Sequence, residues 1–194
     1  MRRVGSSLHT EMADDTTARV AHLRMRRANA ADVEMLARLG ERTFRDTFGS
    51  QNTPENLASY LAKAFNVLVV AREIADPNVT YLVGEIDDQP AAYAMVREVS
   101  APAVVTGPSP LELVRFYVDR PWHGAGVART LMQACDDEAR RRGARTLWLG
   151  VWEKNPRAIR FYEKCDFRDV GSQTFMVGDD AQNDRVMVRP IPAS

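Results

Sequence analysis

Two short stretches carry the residues best suited to chemistry. His123-Gly124-Ala125-Gly126-Val127-Ala128 lies between a strand-like run, Leu111 to Val118, and a helix-like run, Val127 to Arg142. A glycine-rich strand-to-helix turn leaves several backbone N–H groups without intrahelical partners. Those groups and the positive end of the helix dipole favour a pyrophosphate. Further along, Asn155 and then Phe161-Tyr162-Glu163-Lys164 offer an amide and a phenol near one helix start. Together they suggest a protein that holds a phosphate-bearing cofactor and supplies a weak acid beside it. The turn is not a Rossmann site, because no GxGxxG frame occurs and the loop lies late in the chain. A P-loop is excluded, because no Gly-Lys-Ser/Thr follows.

The chain resembles the GNAT (Gcn5-related) N-acetyltransferases. Their cofactor loop, Gln/Arg-x-x-Gly-x-Gly/Ala, falls on His123 to Ala128. Their later element, roughly Asn-x-x-Ala-x-x-Phe-Tyr-x-Lys-x-Gly-Phe, falls on Asn155-Pro156-Arg157-Ala158-Ile159-Arg160-Phe161-Tyr162-Glu163-Lys164-Cys165-Asp166-Phe167. The resemblance extends from about Leu23 to Pro190. Within the family the chain looks most like PaiA-type spermidine/spermine N-acetyltransferases. Thr43 to Phe48, Asn52 to Tyr60, Leu147 to Asn155 and Gly178 to Gln182 carry that narrower likeness.

The resemblance implies acetyl-CoA as cosubstrate. It implies an α/β fold with a central mixed sheet flanked by helices, in which two parallel strands splay apart around the cofactor. The backbone of Phe116, Tyr117 and Val118 is then expected to hold the pantetheine arm. The N–H groups of Gly124, Ala125, Gly126, Val127, Ala128 and Arg129 are expected to hold the pyrophosphate. His123 stands where the family has Gln or Arg, and a neutral imidazole is a poorer phosphate partner than guanidinium. Asn155, Ala158 and Lys164 join the cofactor set, with Asn155 also capping its helix. Asp166 stands where the family usually has glycine. Tyr162 is the expected acid: a phenol with pKa near 10, bonded to sulfur, protonates a leaving thiolate as it forms.

Acyl transfer to an amine needs the neutral amine, so a proton must leave. Glu112 shares strand parity with Val114, Phe116 and Val118, which would turn it toward the cleft as base. Some relatives carry a second acid where this chain has Val114. Phe44, Phe48, Tyr60 and Trp152 are candidates to line the acceptor pocket, and Glu55 or Glu153 could attract a cation. The expected reaction is direct attack of a small-molecule primary amine, with polyamine first among the candidates, on the thioester in a ternary complex. The alternatives are a protein N-terminus or another amine as acceptor, or a non-catalytic acyl-CoA sensor.

The chain has 194 residues with 26 basic and 26 acidic side chains, so no formal net charge. That balance argues against a nucleic-acid or membrane-surface binder. Cys135 and Cys165 read as free thiols in a cytoplasmic protein. His9, His22 and His123 form no metal-binding spacing. Residues 1–22 read as a flexible tail without a secretory signal, and 23–194 as the acetyltransferase domain. Trp122 looks exposed and compatible with a homodimer.

The element pattern begins with a strand at Leu23–Arg26 and a helix opened near Asn29. Thr53-Pro54 opens a second helix. Val67–Ala71 has strand composition, whereas the resemblance implies helix. Two strands, Tyr81–Ile86 and Ala91–Val99, flank a turn. The helix after the glycine loop buries Val127, Leu131, Cys135 and Ala139, is laced by Asp136/Arg140 and Asp137/Arg141 pairs, and stops at Gly143. Strands at Thr146–Val151, Gln173–Val177 and Arg185–Val188 complete the pattern.

Overall fold

The computed structural model describes residues 22–192. Most of the expected tail lies outside those residues. Seven strands form one mixed sheet: β1 (Arg24–Arg27), β2 (Val79–Ile86), β3 (Gln89–Arg97), β4 (Pro110–Val118), β5 (Thr146–Trp152), β6 (Arg168–Val177) and β7 (Asp180–Pro190). Their spatial order is β1-β2-β3-β4-β5-β7-β6. Five helices cover it: α1 (Val33–Phe48), α2 (Pro54–Ala64), α3 (Val67–Ala75), α4 (Val127–Arg141) and α5 (Pro156–Lys164).

Every neighbouring pair is antiparallel except β4 and β5, which run parallel. A parallel pair needs a crossover, and α4 supplies it. The β4–β5 ladder holds only three residue pairs, Pro110–Thr146, Leu111–Leu147 and Glu112–Trp148. Beyond them β4 continues for Leu113–Val118 with no partner on its β5 side. This is the splay that the resemblance implied.

A core fills each face of the sheet. On one face α4 and α5 bury Val127, Leu131, Cys135, Ala139, Ile159 and Tyr162 against Leu82, Ala94, Leu111, Leu147 and Leu149. On the other, α1, α2 and α3 bury Leu36, Leu39, Phe44, Leu57 and Val70 against Tyr81, Val83, Tyr93 and Met95. β2 is buried at every residue because both of its faces are covered. β4 is central too, yet Val114 to Val118 are only half-buried, since the splay opens beside them.

Caps explain most boundaries. Thr53 accepts from the Asn56 N–H at 3.2 Å and Pro54 follows at N1. Asn66 accepts from the Leu68 N–H at 2.8 Å. That cap starts a helix over Val67–Ala75, against the strand composition of the segment and in line with the resemblance. Asp87 and Asp88 both take left-handed φ, 51° and 58°, and turn β2 into β3 with two residues. Gly143, at φ 72°, stops α4 as expected.

Two expectations about α4 and its surroundings are corrected. Asp136 and Asp137 do not pair with Arg140 and Arg141 at i,i+4. Asp136 is buried and pairs with Arg189 from β7, Asp137 pairs with Arg140, and Arg141 turns to Glu138. Glu138 is buried and also gathers Arg27, Arg142 and the Thr80 hydroxyl, so it fastens α4 to β1 and β2. Trp122 is half-buried and not exposed as expected, and it packs on the α4–α5 core.

Candidate active site

The turn between β4 and α4 is shaped by two glycines in left-handed conformation, Gly124 at φ 84° and Gly126 at φ 86°. Only glycine takes such φ freely. A methyl group on either would meet nothing within 4 Å, so the turn is open to a ligand. The Ala125 N–H already donates to the Trp122 carbonyl at 3.4 Å and the Arg129 N–H to Gly126 at 3.0 Å. The amides of Gly124, Gly126, Val127 and Ala128 make no bond among the described residues. The expected donor set therefore shrinks by Ala125 and Arg129. Four free amides at a helix N-terminus remain, a surface that fits a diphosphate.

His123 does not reach outward. Its Nε2 lies 2.8 Å from the Val118 carbonyl, so the ring braces the turn against the end of β4. Asp119 adds a second brace, with its carboxylate 2.7 Å from Arg42 of α1 and bonded to the Arg120 N–H.

Below the turn, the unpaired edge of β4 could accept an extended pantetheine arm as a further strand. Tyr162 stands at this edge. Its ring packs edge-on to Phe116 at 6.1 Å, with Phe161 and Phe167 around it. Asn155 accepts from the Ala158 N–H at 3.1 Å and caps α5, as expected, with Pro156 at N1. Burial, with Cys135 and Cys165 nearby, pushes the Tyr162 phenol well above its ordinary value. The hydroxyl makes no hydrogen bond among the described residues. Lys164 is exposed on the outer side of α5. Asp166 takes the left-handed position after α5, at φ 64°. The Asp166 and Phe167 N–H groups then cap Glu163 and Tyr162 carbonyls at 3.1 and 3.0 Å.

Glu112 is placed otherwise than its spacing predicts. Met95 pairs with Arg115 and Val96 with Leu113, so Val114 is an extra residue in β4. A bulge of this kind reverses the alternation of side chains. Leu111, Leu113, Phe116 and Val118 consequently share the α4–α5 face, while Val114 and Tyr117 face α1 and α2. Glu112 is off the face of Phe116 and Val118, and Arg97 holds its carboxylate at 2.7 Å.

The four expected acceptor residues do come together, on the α1–α2 side of the sheet. Phe44 stacks on Tyr60 at 4.4 Å and packs on Phe48 at 4.6 Å, and Phe48 meets Trp152 edge-on at 6.0 Å. Phe44 is core, at 3% exposure; the other three are half-buried. The spacing of residues did not reveal Phe175 of β6, 5.7 Å from Tyr60. Nor did it reveal Asp184 of β7, which is buried and pairs across the ladder with Trp152. An acid alternating with Val186 and Val188 on the inward face of β7 was the signal. Desolvation, helped by Glu153, pushes the Asp184 carboxyl up to about 6. Glu153 is at the rim, held by Asn183 at 2.8 Å, and Glu55 is exposed on α2.

This geometry has counterparts. The sequence profile of the acetyltransferase (GNAT) family matches residues 41–167, about two-thirds of the chain. The chain belongs to that family. As a GNAT member it is an N-acetyltransferase. An uncharacterized N-acetyltransferase of Mycobacterium tuberculosis is 33% identical over 160 residues, covering 82% of this chain and 98% of that one. Another, from Lactobacillus delbrueckii subsp. lactis, is 29% identical over 160 residues, covering 82% and 92%. The crystal structure of a PaiA N-acetyltransferase from Thermoplasma acidophilum, in complex with coenzyme A, superposes with a TM-score of 0.69 at 16% identity, covering 87% of this chain and 98% of that one. That likeness is one of fold. Among the described residues of this acetyltransferase, no helix is long and apolar enough to cross a membrane, and no group of three metal-ligating side chains occurs.

Proposed function

We propose that this N-acetyltransferase moves the acetyl group of acetyl-CoA to a primary amine of a small cationic molecule, with a polyamine as the first candidate. The observation that carries the reading is the splay between β4 and β5. It has free amides at one end, Tyr162 on one face and an aromatic floor with a buried acid on the other. The amides of Gly124, Gly126, Val127 and Ala128 hold the diphosphate. The β4 edge at Phe116, Tyr117 and Val118 holds the pantetheine arm, and the Asn155 side chain lies beside it at the start of α5.

The acceptor enters over Phe48, Tyr60 and Trp152. Its neutral nitrogen attacks the thioester carbonyl carbon, and a β4 amide facing the splay stabilises the oxyanion. The carbon–sulfur bond then breaks, the Tyr162 phenol donates its proton to the leaving sulfur, and the proton shed by the attacking nitrogen restores the phenol. No covalent enzyme intermediate is needed: Cys135 is fully buried, and among the described residues Cys165 has no histidine beside it. The aromatic floor and the acids at Asp184 and Glu153 favour a cationic amine over a neutral or anionic one.

The test is thiol release from acetyl-CoA across spermidine, spermine, aminoglycosides, amino acids and short peptides. Turnover confined to the polyamines is the expected result. Turnover confined to peptides would replace the acceptor. Silence across the panel with coenzyme A still bound would leave a sensor instead of an enzyme.

A further inference from the structure

Asp184 is unusual for a buried carboxylate. It is 7% exposed, yet among the described residues it pairs with no cation and accepts no hydrogen bond. The other strongly buried acids here are partnered: Asp32 and Glu85 by Arg26, Asp119 by Arg42, Asp136 by Arg189, and Glu138 by three arginines. A buried, unpaired charge is costly and persists when something else answers it.

Its surroundings point toward the cleft. The sheet runs β4, splay, β5, β7, β6, so β5 alone separates β7 from the splay. Trp152 is the β5 residue opposite the acid, and the Asp184 carboxylate leans over Gly150, the next position on the same face. A methyl group placed there would lie 3.1 Å from Asp184 Oδ2 and 2.7 Å from Gln173 Nε2. Both side chains therefore lean across the one bare position on that face of β5, toward the open edge. The groups facing Asp184 are Tyr60 from α2, Gln173 from β6 and Glu153 from the end of β5, and none is cationic. Arg185 next in β7 is occupied by Asp169.

We propose that Asp184 receives the ammonium group of the acceptor at the aromatic floor and takes its proton before attack. The inference rests on the acetyltransferase reading above. The step balances simply: one N–H bond of the ammonium breaks, an O–H bond forms on Asp184, and the nitrogen lone pair is freed for the thioester carbon. Asp184 returns the proton to water after the product leaves. The carboxyl near 6 suits such a base at neutral pH. Glu112, held by Arg97, is not needed for it.

The experiment compares wild type, Asp184→Asn and Asp184→Glu, each saturated with coenzyme A, by calorimetric titration with spermidine. Thiol release from acetyl-CoA is followed from pH 5 to 9. Expected are at least 10-fold weaker spermidine binding in Asp184→Asn, unchanged coenzyme A binding, and about 100-fold lower kcat/KM without the acid limb near pH 6. Asp184→Glu should recover part of both. Spermidine binding that is equal in wild type and Asp184→Asn would overturn the inference, as would wild type that binds no spermidine. Wild type that binds spermidine through Asp184 but releases no thiol would uphold the cation site and overturn the transferase reading.

Discussion

A phenol shut away from water keeps its proton. Tyr162 is buried among Phe116, Phe161 and Phe167, so its phenol stays protonated across the neutral range. Tyr162→Phe keeps the ring packing and removes the donor. Its kcat should fall about 100-fold or more with the dissociation constant for coenzyme A unchanged, measured by thiol release and calorimetry. Asp184 makes the opposite trade. Its folded-state pKa, about 6, lies above its ordinary value of 3.8, so the folded state favours the neutral acid. Its contribution to stability is therefore whole below about pH 4 and is lost as pH rises through 6. Asp184→Asn should melt higher than wild type at pH 7.5, with the two converging at pH 4, by thermal denaturation. The placement of Tyr162 and Asn155 was legible in the sequence because their motif is contiguous and lies within about two turns of one helix. Asp184 was not, because its meaning depends on cross-strand register with Trp152 and on the bare Gly150 beside that pair on the same face. The face of Glu112 was not legible, because one extra residue, Val114, shifts the alternation, and a bulge leaves no mark in composition.

At the scale of elements, the exit of α5 shows a local rule bent and tolerated. Asp166 sits at φ 64°, where a side chain costs about 1 kcal/mol and glycine nothing. Asp166→Gly should raise stability by about 0.5 kcal/mol after the greater freedom of glycine in the unfolded chain is counted. The expected shift in Tm is about 1–2 °C with activity unchanged. The boundary itself was readable, because the resemblance marks that position for glycine. The same reasoning separates α3 from its composition. Val67, Leu68, Val69 and Val70 favour a strand singly, but the Asn66 cap and the core behind Val70 decide for a helix. The caps at Asn29, Thr53 and Asn155 were readable and accept from the backbone as their types predict, whereas Asn66 carried no such signal beside a run of strand composition. Side-chain pairing was not. Asp136 has an i+4 partner in sequence, yet it faces inward and finds Arg189 from a strand far along the chain.

The whole molecule is two sheet halves meeting at one short parallel ladder. β1–β4 form one half and β5, β7 and β6 the other, joined by three residue pairs at the lower end. Neutral overall charge leaves no large field pushing the halves apart or drawing a polyanion to them. Under the proposed function, the splay would place the chemistry between two strand-built walls and not on loops, with both faces acting on one bond. It has a mechanical corollary. The protein is a sheet that lacks a strand, and an extended ligand running along β4 would supply that strand. Cosubstrate then serves as a splint as well as a reactant. Coenzyme A at 100 times its Kd should stabilise the fold by about 2.7 kcal/mol. Hydrogen exchange should slow most at the open edge of Leu113–Val118, rather than uniformly over the sheet. On this view the enzyme is stiffest only while loaded, and each release of product returns it to a hinge held by three rungs.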